Sequence, residues 1–257
     1  MKKKIFFMQG GLGNQVCILS MAYEYLYKGH KVIIDLSSYQ NNPHRPFQLN
    51  KYFDLSEFKI REGNLLSFIF FRFLNKLMEI INKNEINFFF LNSIFYFGYF
   101  QDNIDRRTKN LKKNFKFKNL IKHNSLCIHL RRGDYTLNKF KKFHGIVSTK
   151  NILQAIESNK EFIITNFSDI SVITEEKDIN FPQVIHGIPV NIFNGSDHEA
   201  FIHMISSKGL IASNSTFSLI AGLLQKKLLF IIPSQWFIKR KSNFLGKSFK
   251  RYPCTLL

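Results

Sequence analysis

Lys4-Ile5-Phe6-Phe7-Met8-Gln9-Gly10-Gly11-Leu12-Gly13-Asn14-Gln15, read together with residues 16–36, decides the fold class. Lys4 to Met8 is a short apolar run that ends in glycines, as a buried parallel strand does. Gln15 to Tyr27 then places Val16, Leu19, Ala22, Tyr23 and Leu26 at helical spacing. Gly29 closes that helix, and Lys31 to Leu36 (KVIIDL) reads as a second strand. Strand, helix and strand with short connections form a βαβ unit, so the expected class is α/β.

Outward from this unit, residues 37–64 look irregular, with Pro43 and Pro46. Leu65 to Asn82 is predicted to be a Phe-rich helix. Residues 106–122 (RRTKNLKKNFKFKNLIK) hold eight basic residues and no acidic one. With Leu111, Phe115 and Phe117 they suit an amphipathic helix, either a solvated face or a surface-binding one. A second α/β series starts at Ser125. Strands are expected at 126–130, 162–165, 183–185, 209–212 and 228–232, with helices at 149–157, 199–207 and 218–225. That is a doubly wound domain, whose ligands belong at the carboxyl ends of its strands. The boundary should fall near 118–125, giving domains 1–122 and 123–257. No internal repeat is visible.

Composition narrows the classes. The chain has 257 residues, 37 Lys+Arg against 18 Asp+Glu, and a net charge of +19. A hydrophobic content of 45%, with 29 Phe, excludes intrinsic disorder. No run of about 18 apolar residues occurs, so no transmembrane helix is predicted. Residues 86–100 come nearest and are broken by Asn87, Asn92 and Ser93. The apolar run after Lys2-Lys3-Lys4 is too short for a signal peptide. Cys17, Cys127 and Cys254 show no metal spacing and read as reduced thiols of a cytoplasmic protein. The charge predicts an acidic partner: phosphate, nucleic acid or an anionic membrane.

Three segments carry chemistry. In Gly10-Gly11-Leu12-Gly13-Asn14-Gln15 the glycines permit close backbone approach to a ligand, or merely a tight turn. Val16 stands where a dinucleotide fingerprint needs Gly, and no P-loop Lys comes after it. In His129-Leu130-Arg131-Arg132-Gly133-Asp134-Tyr135, two arginines beside a glycine at a strand end suit a diphosphate. The alternative is a surface turn with an Arg–Asp pair. Ser213-Asn214-Ser215-Thr216-Phe217-Ser218 precedes a helix and offers hydroxyls and N–H groups to an anion. A plain N-cap would need only one of them. His144-Gly145 is expected on a loop of the cleft, and Ser168-Asp169, read as lying just past a strand, near a base or ribose. The other histidines have no ligand spacing, and no carboxylate pair stands out.

Together these segments resemble the bacterial and animal α-1,2-fucosyltransferases, glycosyltransferase family 11. The matches are GGLGNQ at 10–15, HLRRGDY at 129–135 and SNSTFSLIAGLL at 213–224. Lesser ones are FQLNKYF at 47–53, GYFQ at 98–101, HGI at 144–146, FSD at 167–169 and PSQWF at 233–237. The H-x-R-R-G-D segment is shared with α-1,6- and protein O-fucosyltransferases. The resemblance implies a GT-B-like fold with two Rossmann-type domains facing a cleft, the first on the acceptor side and the second binding GDP-fucose. It implies inverting transfer of L-fucose from GDP-β-L-fucose to the 2-hydroxyl of a galactose. Arg131 and Arg132 would then hold the diphosphate. His129, Asn214, Ser215, Thr216, Phe217, Ser168 and Asp169 would belong to the donor site, and Gly13 and Asn14 would reach it from the first domain. The sequence departs from the family at Leu219 and Ile220, where two Trp are usual, and at Ile170, where a second Asp is usual.

No D-x-D motif is present, so the leaving GDP is expected to be stabilised by Arg131, Arg132 and the 213–218 helix start, without a metal. Asp134 is the first choice for catalytic base and His144 the second. The rival readings are a related fucosyltransferase of different linkage and a nonspecific nucleic-acid-binding protein, the latter motivated by 106–122 and by KRKSNFLGKSFKR at 239–251. No nucleic-acid motif supports the latter. A composition heavy in Lys, Asn, Ile and Phe suits bacterial surface-polysaccharide clusters. The acceptor is therefore expected to be a galactose-terminated or lipid-linked glycan, as in O-antigen. The enzyme is expected at the inner face of the inner membrane, held by its basic clusters against anionic lipid.

Overall fold

The computed structural model describes residues 2–39, 46–83, 94–176 and 178–257. The chain divides into two compact units, 1–118 and 119–257.

The first unit holds a parallel sheet of β1 (Lys3–Phe7), β2 (Lys31–Asp35), β3 (Lys59–Arg61) and β4 (Phe95–Tyr96), in the order β3-β2-β1-β4. β1 is buried from Lys4 to Phe7 without alternation, because helices cover both faces. Phe6 meets Tyr25 of the helix Leu12–Tyr27, with ring centroids 5.8 Å apart. Its neighbours Ile5 and Phe7 point the other way, onto Phe71 and Leu74 of the helix Leu65–Lys83. Residues 37–64 are less irregular than expected, since they contain β3 and the short helix Leu49–Tyr52. The basic run at 106–122 is helical only through Asn114, as part of the helix Ile104–Asn114. Phe115 then leaves to bridge Phe53, and Phe117 packs on Tyr52. Aromatic burial there outweighs continued helix.

The second unit holds β5 (His123–Leu130), β6 (Asp169–Thr174), β7 (Val184–Ile185), β8 (Ile188–Ile192), β9 (Ser207–Ile211), β10 (Leu229–Pro233) and β13 (Lys250–Tyr252). Their order is β13-β10-β9-β5-β6-β8-β7, and all pairs are parallel except β7–β8. A small antiparallel pair, β11 (Gln235–Phe237) with β12 (Arg240–Lys241), lies outside that sheet. From β5 the chain builds outward through β6 and β8, then crosses back to β9 on the other side. The order reverses between β5 and β9, which makes a crevice at their carboxyl ends. Cys17 and Cys127 are buried, and burial pushes both thiols up to about 12. They fill the core.

One expected strand is a helix. Residues 162–165 lie within the helix Lys160–Asn166, which buries Ile163 and exposes Phe162 and Ile164. The strand is β6, whose residues pair with β5 from Ser125↔Asp169 to Leu130↔Thr174. A central parallel strand needs burial on both faces, which Ile170 and Val172 provide on one and Ser171 and Ile173 on the other. β8 has no counterpart among the strands expected from sequence. It is reached through a two-residue turn, His186-Gly187, with φ of 51° and 80°. Two positive φ values in a hairpin loop are the type I′ geometry, in which Gly is favoured at the second position.

Candidate functional site

Two of the three motif loops meet at the crevice of the second sheet. HLRRGDY closes β5, and Ser213 to Ser215 joins β9 to the helix Thr216–Leu224. The backbone N–H of Arg131 donates to Ser213 Oγ at 3.2 Å. His129 Nδ1 lies 3.0 Å from Ser213 Oγ and 3.0 Å from Ser218 Oγ. The ring thereby latches the end of β5 to the loop and the helix beyond β9. Burial, with help from the charges of Arg131 and Arg132, pushes the His129 pKa down to about 3. The imidazole is neutral at physiological pH and does not serve as a cation for phosphate.

The two arginines have different surroundings. Arg131 pairs with Asp134 and Glu175, and its guanidinium lies 5.2 Å from the Tyr135 ring centroid. Burial opposes its charge, and the two carboxylates more than offset this, so its pKa is raised. Arg132 turns into the protein. Its Nη1 donates to the Val147 carbonyl at 2.9 Å, and its Nε faces Glu176 at 3.3 Å. These contacts hold Arg132 between loops, and Arg131, half-buried, is the more accessible of the two guanidinium groups. Glu175 also accepts the backbone N–H of Arg132 at 3.2 Å and sits against Gly133, whose φ is 36°.

Asn214 is likewise a fastener. Its buried Nδ2 donates to the carbonyls of His144, Gly145 and Trp236 at 2.9, 3.3 and 3.2 Å. His144 ends the helix Asn138–His144, and its ring stacks on Tyr135 with centroids 4.3 Å apart. The helix after SNST begins at Thr216, two residues earlier than expected. Ser215 is its N-cap residue, but its side chain does not cap, and the first-turn N–H groups of Thr216 and Phe217 belong to this end. Phe217, half-buried, packs its ring between His129 (5.9 Å) and Phe201 (5.1 Å). Leu219 and Ile220 are fully buried and so belong to the core.

Ser168 and Asp169 do not join the crevice. They begin β6, beside Ser125 at the start of β5, roughly 16 Å along the strand from Leu130. The residues directly after β6 are Glu175 and Glu176, which sequence reasoning does not single out. Glu175-Glu176 directly after the largely β-branched run Ile170-Ser171-Val172-Ile173-Thr174 is the signal that could have found them. In the first unit, GGLGNQ comes after β1 at the reversal between β1 and β4. Gly10 has φ 76°, and a Cβ there would lie 2.9 Å from Asn14 Nδ2. Asn14 Oδ1 accepts from Gln101 Nε2 at 3.2 Å, joining this loop to GYFQ after β4. Gly13 is buried in the first helical turn.

The chain matches the model of glycosyl transferase family 11 over residues 12–247. It is 25% identical over 276 residues to an alpha-1,2-colitosyltransferase of Escherichia coli, covering 92% of this chain and 93% of that protein. No solved structure matches it. The two Rossmann-type α/β units agree with the GT-B-like class of such enzymes. With the family model spanning nearly all of both units, the chain belongs to glycosyl transferase family 11 and is a glycosyltransferase.

Proposed function

We propose that this enzyme transfers L-fucose from GDP-β-L-fucose to the 2-hydroxyl of a galactose, with inversion and without a metal. The observation that carries the reading is the meeting of HLRRGDY and SNSTFS at the reversal point of the second sheet. There Arg131 and the N-terminal end of the helix Thr216–Leu224 offer a cation and N–H donors to a diphosphate. As the fucosyl–oxygen bond breaks, charge grows on that diphosphate, and fixed donors lower the barrier. A phosphate that takes Arg131 displaces Glu175 or Asp134 from it. Asp134, once released, is our choice for the base that removes the acceptor proton, and His144 is the second. The acceptor is a galactose-terminated or lipid-linked glycan of the bacterial surface, met at the inner face of the inner membrane.

A second donor is favoured by the colitosyltransferase relative. Colitose is L-fucose without its 3-hydroxyl, so GDP-colitose presents the same diphosphate. Incubating the protein with GDP-fucose or GDP-colitose and a panel of galactosides, with product linkage read by NMR, separates the two. The fucosyl reading expects faster turnover of GDP-fucose and an α-1,2 product. Preference for GDP-colitose, or another linkage, overturns it.

A further inference from the structure

Between Leu66 and Leu74 the helix Leu65–Lys83 carries apolar side chains on two sides. One side packs Phe71 and Leu74 onto Ile5, Phe7 and Ile33 of the first sheet. Away from that contact, Leu66 is 77% exposed, Ile69 55%, Phe70 45% and Phe73 63%. These four stand at positions i, i+3, i+4 and i+7, which is one stripe along a helix. Large apolar side chains scattered singly need no explanation, whereas a continuous stripe marks a surface that something covers.

The charges beside the stripe select the partner. Arg72 and Lys76 are exposed on its flank, and the helix carries one acid, Glu79, against three basic residues, Arg72, Lys76 and Lys83. Long basic side chains can lay their stems on apolar surface and lift their charge to a headgroup. An apolar stripe with a basic border, on a chain of net charge +19, is the pattern of a helix lying in the plane of an anionic bilayer surface. A second copy of the same face would bring like charges together.

We propose that the helix Leu65–Lys83 is the membrane-docking element, seating Leu66, Ile69, Phe70 and Phe73 in the interface of an anionic bilayer. This gives the membrane part of the proposed function a surface, and it does not depend on the donor. It differs from docking by the basic runs 106–122 and 239–251, because it requires apolar insertion.

The test is flotation of the full chain with vesicles of phosphatidylcholine alone and of equimolar phosphatidylcholine and phosphatidylglycerol. The protein should float with the anionic vesicles and retain part of its binding at high salt. Leu66→Ser with Phe73→Ser should lower partitioning about tenfold or more, as should Arg72→Gln with Lys76→Gln. Thermal melts of both variants should match the parent, because these side chains are exposed. Absence of flotation, or unchanged flotation of the Ser variant, overturns the proposal. So does a dimeric parent that the Ser variant converts to monomer, since a second copy would then cover the stripe. Transfer to a soluble galactoside, measured in parallel, reports on the proposed reaction and should not change in either variant.

Discussion

Arg131 is the more accessible arginine of its motif, and it is held in place by Asp134 and Glu175. Arg131→Ala should lower turnover by at least about 10²-fold, the usual scale for one preorganised donor, in initial-rate assays with saturating donor. Asp134→Asn should also slow transfer, and an unchanged rate would remove it as base. His129 makes a different prediction. Its pKa falls from 6.5 to about 3 on folding, so the unfolded chain binds the extra proton between those values. The stability it contributes is full above about 6.5 and is lost as pH falls towards 3. His203, lowered to about 4 by burial and by the charge of His123, adds in the same sense. Melting temperature should therefore drop on acidification, and His129→Gln should flatten the fall. A parallel slope in both proteins would sink this account. The arginine pair is visible in the sequence, but its division of labour is not. Neighbouring residues point to different surroundings, and the Val147 carbonyl and Glu176 show where Arg132 goes.

At the scale of elements, the site depends on how three loops are tied together. Asn214 joins the segment after β9 to the end of the helix Asn138–His144 and to β11, through three backbone carbonyls. Asn214→Ala should cost about 2–4 kcal/mol in denaturant unfolding, for two or three lost buried bonds. Asn214→Asp should cost more, because a carboxylate would face those same oxygens. The sequence pattern places β5, β7, β9, β10 and the helices Thr149–Glu157, Asp197–Ser206 and Thr216–Leu224 within two or three residues, since buried strands and amphipathic helices carry their own period. It fails where tertiary pairing decides. Phe162-Ile163-Ile164-Thr165 has strand-like residues but only one buried side, whereas Asp169–Thr174 is embraced by β5 and β8. That one exchange also puts Ser168 and Asp169 at the wrong end of the sheet and hides Glu175.

At the scale of the molecule, the positive charge is spread over both units rather than gathered in a tail. Some of it is spent on structure. Arg107 donates to Ser20 Oγ and to the Phe100 carbonyl, and Lys227 closes the last carbonyls of the helix Asp197–Ser206. If Arg131 and N–H donors stabilise the leaving diphosphate, no divalent ion is needed. Transfer should then keep its rate in excess EDTA, and a strict requirement for Mn²⁺ or Mg²⁺ in the same assay would overturn the metal-free mechanism.

The strand orders have one more consequence. Apart from the short antiparallel β7 at the edge, β3-β2-β1-β4 and β8-β6-β5-β9 are the same walk: a first strand, two parallel strands laid down on one side, then a return to the other. GGLGNQ and HLRRGDY therefore occupy equivalent addresses, each at the carboxyl end of the founding strand of its own sheet. Their residues share almost nothing. The chain repeats a topology that its letters do not repeat, and each unit has put its own chemistry into the same slot.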